Sequence, residues 1–189
     1  IMKTALFSLS LVALLTPLLR ADVALPVIFS DHMVLQQGRA VPIWGTATAG
    51  EDVTVTFAGQ TLKTKADGAG KWKTELASLP ANAQPADLTV AGKNTITLKD
   101  VLVGEVWICS GQSNMQWTVS QAANAEAEAA AANYPQIRMF NVERIVAKAP
   151  GGDCKGQWCV TTPQTVGQFS AVGFFFGRHL HQALKVPVG

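Results

Sequence analysis

Val53-Thr54-Val55-Thr56-Phe57 alternates apolar and polar residues, and so does Thr95-Ile96-Thr97-Leu98. A period of two sends successive side chains to opposite faces of a pleated strand, so both runs predict half-buried strands. Ala58-Gly59-Gln60 separates the first run from Gln60–Lys65, its expected hairpin partner. Asp67-Gly68-Ala69-Gly70 reads as a turn ahead of Lys71–Leu76, whose Trp72 is expected to pack inward. Leu88-Thr89-Val90 and then Ala91-Gly92-Lys93-Asn94 add another strand and turn. Strands spaced at roughly 8–12 residues predict a β-sandwich-like accessory domain, here over residues 22–100.

Near Asp100 the pattern changes. Val101-Leu102-Val103 leads through Gly104-Glu105 into the continuous apolar run Val106–Cys109, which predicts a strand buried on both faces, as in a parallel sheet. Ser120 through Ala132 is rich in alanine and glutamate, with Ser120 as a cap and Tyr134-Pro135 as a stop, and predicts one helix. Gln136–Val142 returns as a strand. Ser170 to about Leu184 predicts a second helix, entered by a serine cap and weakened by Gly173 and Gly177. Lys185-Val186-Pro187-Val188-Gly189 reads as a loop and the start of a strand. Strand, helix, strand, helix and a beginning strand make the first part of a flavodoxin-like α/β domain over residues 101–189. The expectation is therefore an amino-terminal piece of a longer protein.

The start of the chain modifies this plan. Lys3 precedes an apolar run from Ala5 to Leu19, and Arg20-Ala21 then gives way to Asp22. That is the layout of an export signal over residues 1–21, cut after Ala21, which predicts a secreted or periplasmic protein. The competing reading is a membrane anchor, but about 15 apolar residues broken by Pro17 fall short of the roughly 20 that a span needs.

Removing that segment also changes the charge. The chain has 15 Lys and Arg against 13 Asp and Glu; losing Lys3 and Arg20 leaves 13 of each. A neutral remainder gives no reason to expect nucleic acid or an anionic membrane as partner. Of the three cysteines, Cys109 falls at the end of a predicted buried strand, where a free thiol behaves as a small apolar group. Cys154 and Cys159 flank a short loop, and both a bridge and two free thiols remain open. No histidine or second cysteine pair has zinc-site spacing, and no metal or organic cofactor is expected.

The chemistry centres on Val106-Trp107-Ile108-Cys109-Ser110-Gly111-Gln112-Ser113-Asn114-Met115. An apolar segment that stops at small and polar residues places a hydroxyl at the carboxyl edge of a sheet, where open α/β sheets bind ligands. The G-x-S-x-G elbow fails here, because Met115 stands at its last glycine. Gly111 is read as letting the backbone turn without a Cβ clash. By itself, a serine in such a place is most simply a cap or turn residue.

GQSNM with its preceding VWICS resembles the first motif block of the SGNH hydrolase superfamily, and more narrowly the sialate O-acetylesterase family. Phe29-Ser30-Asp31-His32-Met33-Val34-Leu35-Gln36-Gln37 is similar to the family's opening signature, and Val41-Pro42-Ile43-Trp44-Gly45 follows it. Asn133-Tyr134-Pro135-Gln136-Ile137-Arg138 and the run from Phe169 to Arg178 continue the match, which extends from about Leu25 to Gly189. His32 stands where the family more often carries asparagine.

The resemblance implies a carbohydrate esterase that removes O-acetyl groups from sialic acid or related sugars, with Ser113 as nucleophile and its N–H in the oxyanion hole. A serine hydroxyl needs a base, and the resemblance places the family's histidine, its aspartate and further oxyanion donors beyond Gly189. The chain alone is then expected to be inactive. Gln112 and Asn114 either stiffen the turn or contact a sugar hydroxyl. Trp117 either lines the sugar pocket or packs into the core. His179 and His181, two apart on a helix, point to different faces and suit no paired metal site. Phe174-Phe175-Phe176 is read as core against the sheet. Two rival readings stand beside the esterase: an acetylxylan-type polysaccharide esterase, and a non-catalytic carbohydrate-binding or structural β-module before a broken hydrolase domain.

Overall fold

The computed structural model describes residues 22–189, and the export-signal reading of residues 1–21 lies outside them. Seven strands come first: β1 (Val34–Gln36), β2 (Val41–Thr46), β3 (Asp52–Phe57), β4 (Gln60–Lys65), β5 (Lys71–Leu76), β6 (Asn82–Ala91) and β7 (Thr95–Gly104). Five of them form one sheet in the order β1-β7-β6-β3-β4, while β2 and β5 pair antiparallel beside it. Within the larger sheet β1 and β7 run parallel and the other neighbours antiparallel.

The predicted hairpin forms as read. Phe57 pairs with Gln60 across Ala58 and Gly59, whose φ angles of 47° and 79° suit the two-residue turn that matches strand twist. Asp67 Oδ1 accepts the N–H groups of Ala69 and Lys71 at 2.8 and 2.9 Å and so fixes the second turn. Side chains then curl the β4 edge toward β5: Thr64 Oγ1 donates to the Lys73 carbonyl at 3.0 Å, and Gln60 exchanges two hydrogen bonds with the Ala77 backbone. The enclosed core takes the inward set of each strand, including Ile43, Val53, Val55, Phe57, Leu76, Leu88 and Val90. Trp72 is buried as expected, with its indole N–H on the Thr46 carbonyl at 3.1 Å.

The change of pattern at Asp100 does not end a strand. β7 continues through it, with Asp100 held at a φ of 57°, and Val101, Leu102 and Val103 all become buried.

The remaining elements are α1 (Ser113–Gln116), α2 (Ala125–Ala130), β8 (Tyr134–Phe140), β9 (Trp158–Thr161) and α3 (Ala171–Leu184). Two expectations are corrected here. The single helix from Ser120 to Ala132 is broken: a 3-10 turn spans Val119–Gln121, Asn124 sits at a φ of 56°, and α2 follows it. Val119 and Ala132 are both fully buried. Thirteen residues apart, they would lie roughly 220° apart around one straight helix, so only a broken one buries both. The expected buried strand Val106–Cys109 does not form either: Ile108 is 94% exposed and Trp107 49%.

What does form beside it is a short parallel contact. Val188 bridges Glu105 on one side and Ile137 of β8 on the other. Trp107 N–H reaches the Gly189 carbonyl at 2.9 Å. Gly104 makes this approach feasible, because a Cβ there would stand 2.0 Å from the Pro187 carbonyl oxygen. α3 agrees with its prediction: the Ser170 hydroxyl caps it by accepting the Gly173 N–H at 3.2 Å. A second core gathers Val119, Ala132, Ile137, Met139, Val166, Ala171 and Phe174. Of the predicted phenylalanine face, Phe174 is buried, Phe175 half-buried and Phe176 39% exposed.

Two side-chain ties add to this contact in joining the two cores. Arg138, 5% exposed, sets both guanidinium nitrogens on Asp100, at 2.6 and 3.1 Å. His32 Nδ1 meets the same carboxylate at 2.6 Å. The hydrogen bonds from Arg138, and then that from His32, hold the Asp100 carboxyl below its ordinary value of 3.8 against the opposing effect of burial. The other tie is Trp158 of β9, which packs into the first core and donates its indole N–H to the Ile28 carbonyl at 2.8 Å.

Candidate functional site

Ser113 opens α1, a single turn closed by main-chain bonds. The Gln112 carbonyl accepts from the N–H groups of Met115 and Gln116 at 3.0 and 3.3 Å, and the Asn114 carbonyl accepts from Trp117 at 3.3 Å. Backbone carbonyls therefore hold the turn, and the side chains of Gln112 and Asn114, both exposed, make no hydrogen bond among the described residues. The N–H groups of Ser113 and Asn114 are likewise unengaged among the described residues, which leaves two donors beside the hydroxyl. Gly111 is not in a left-handed conformation, and a Cβ there would make an ordinary contact of 3.5 Å with Met115 Cβ.

This turn borders a cleft of about 1050 Å³ between the two cores. Gly111, Gln112, Met115 and Gln116 line it, while Ser113 and Asn114 are exposed beside it. Trp107 and Phe176 form one wall, in edge-to-face contact with ring centroids 5.1 Å apart. The Arg144 guanidinium reaches in from the segment after β8, and its Nη1 donates to Gln116 Oε1 at 2.7 Å. Cys109, expected to be buried, is exposed as a residue. Its sulfur nevertheless rests against α3, 3.4 Å from where a Cβ on Gly173 would stand, and desolvation pushes the thiol up.

The three histidines lie elsewhere. None lines the cleft: His32 is on Asp100, His181 Nδ1 meets the Val186 carbonyl at 2.7 Å, and His179 is exposed on α3. No His, Cys, Asp and Glu cluster among the described residues has the arrangement of a metal site. Cys154 and Cys159 are free thiols. Trp117, for which core and pocket were both open, is 53% exposed, and its indole N–H is on the Gln121 carbonyl at 2.8 Å. Sequence pattern did not single out Gln116 or Arg144, because Arg144 lies in an irregular segment where no periodicity marks it. The three-residue spacing from Ser113 to Gln116 was the one available signal.

No protein-family model matches the chain. A carbohydrate acetylesterase from Xanthomonas citri matches in structure with a TM-score of 0.86 and 36% identity, over 88% of this chain and 39% of that one. The mostly-sheet fold and the shared sequence thus place the chain among homologues of carbohydrate acetylesterases. More narrowly, it is homologous to the sialate O-acetylesterases. The rat protein is 36% identical over 179 residues, which is 84% of this chain and 33% of the rat protein. The human protein is 36% identical over 180 residues, 85% of this chain and 34% of its own. The chain spans about a third of the length of these relatives.

Proposed function

We infer that this chain carries the nucleophile of a serine esterase that removes O-acetyl groups from sialic acid or related carbohydrates. The observation that carries the reading is Ser113 at the head of α1, beside a cleft, with its own N–H and that of Asn114 free to meet an oxyanion. Homology to acetylesterases over most of the chain supports it. In this reading the Ser113 hydroxyl attacks the acetyl carbonyl, and the developing oxyanion is met by the two N–H groups. The alcohol leaves, and water releases acetate from the acetyl-serine. No histidine lines the cleft, so none of His32, His179 and His181 is assigned as the base.

The architecture proposed with it is a sandwich-like unit over residues 22–100 and the first part of an SGNH-type α/β domain over residues 101–189. Residues 1–21 serve as an export signal, which makes the protein secreted or periplasmic. Acetate release from O-acetylated sialic acid tests the activity in the full reading frame that encodes these residues. Ser113→Ala is expected to lower turnover by at least about a thousandfold, as loss of a triad nucleophile does. Activity kept within tenfold would remove Ser113 from the role. The 189-residue chain alone is expected to give no turnover above background.

A further inference from the structure

We propose that Ser170 is a positioning residue for Ser113, acting through the Met115 thioether. The inference rests on the reading of Ser113 as nucleophile. α1 is a single turn that buries none of its residues, so it cannot fix its own place on the surface. Its place is set from α3. The Trp117 carbonyl accepts the Ala171 N–H at 2.8 Å, the Val119 N–H reaches the Phe169 carbonyl at 3.0 Å, and Thr118 bridges Ser170 antiparallel. These main-chain bonds hold the exit of α1. Within the helix itself, two side chains reach later elements. Gln116 meets the exposed Arg144, and Met115 meets Ser170, whose hydroxyl donates to its Sδ at 3.3 Å.

Serine suits both duties at position 170. A hydroxyl offers one donor and two acceptor sites. An acceptor site takes the Gly173 N–H at 3.2 Å and caps α3, which leaves the proton for sulfur. One oxygen thus fixes the start of α3 and the middle of α1, with Met115 and Ser170 55 residues apart in sequence. α3 is a firm base, because its Phe174 belongs to the second core. Successive helical positions turn by about 100°, so Met115 and Ser113 lie about 200° apart around α1. Drawing Met115 toward α3 turns Ser113 to the opposite side, where it is exposed. A thioether is a weak acceptor, so the bond contributes aim more than stability.

Two substitutions separate this tether from the cap. Ser170→Asp keeps a side chain that caps a helix but, as a carboxylate, has no proton to give sulfur. Met115→Leu keeps the volume and removes the acceptor. In the full reading frame that encodes these residues, each should lower kcat for acetate release by about tenfold or more and leave KM unchanged. The double variant should lose no more than either single one, since both remove the same interaction. Ser170→Thr, which keeps the hydroxyl, should retain most of the turnover. Exchange of the Met115, Gln116 and Trp117 amides, which close α1, should quicken in both single variants while α3 keeps its protection. Turnover lost in Ser113→Ala but kept in Ser170→Asp and Met115→Leu overturns the tether and leaves the esterase reading intact. Losses that multiply in the double variant overturn it as well. Turnover that survives Ser113→Ala sinks the esterase reading; the exchange rates then decide the tether, and unchanged rates overturn it.

Discussion

Arg138 and Asp100 show what a buried charge does at this junction. The guanidinium is almost wholly enclosed, while 27% of the Asp100 side chain is exposed, so its desolvation is partial. Replacing Arg138 with Met leaves that carboxylate with His32 as its remaining side-chain partner. We expect a loss of about 2 kcal/mol in urea unfolding, below the roughly 3–5 of a fully enclosed pair. The pH dependence has a definite sign. The carboxyl is held below its ordinary value in the folded state, so its contribution is fully present above the ordinary range. It is lost as the pH falls through the lowered value. Arg138→Met should therefore flatten the acid limb of stability against pH, without abolishing the slope, because His32 still donates. An unchanged acid limb would show that Arg138 does not set the Asp100 pKa.

At the scale of elements, legibility followed locality. The hairpin of β3 and β4, the turn at Asp67 and the cap and length of α3 are governed by neighbours in sequence, and all were readable. The Ser170 cap gives a direct check: Ser170→Ala should cost about 1 kcal/mol in thermal unfolding, as loss of an N-cap does. The failures have the opposite character. Alanine and glutamate favour helix at each position from Ser120 to Ala132, but burying both Val119 and Ala132 required the break at Asn124, a demand of the second core. The run Val106–Cys109 is apolar enough for a strand, yet among the described residues its strand-like contacts end at Trp107 and Gly189. Of the candidate site, the serine turn was legible because it is one contiguous motif. The pairing of Gln116 with Arg144, 28 residues apart, was not, since nothing local marks a contact across a cleft.

For the whole molecule, the two cores are coupled through a few named groups. Trp158 lies in sequence among the later elements and in space within the earlier core, where it meets Phe140 with ring centroids 5.4 Å apart. Trp158→Ala should destabilise the protein by about 3–5 kcal/mol, the range for truncating a large buried aromatic. Because the indole also stands 3.2 Å from where a Cβ on Gly189 would be, the loss should reach the parallel contact at Val188. Hydrogen exchange of the amides of Val188 and Gly189 would report it. Protection there equal to wild type would show that the two regions unfold independently.

The hydrogen bond from Trp158 to the Ile28 carbonyl bears on inheritance as well. The strand-rich part takes one of its buried side chains from β9, far along the chain. A crossover between codons 28 and 158 would strand an indole in one product and leave an unfilled socket in the other.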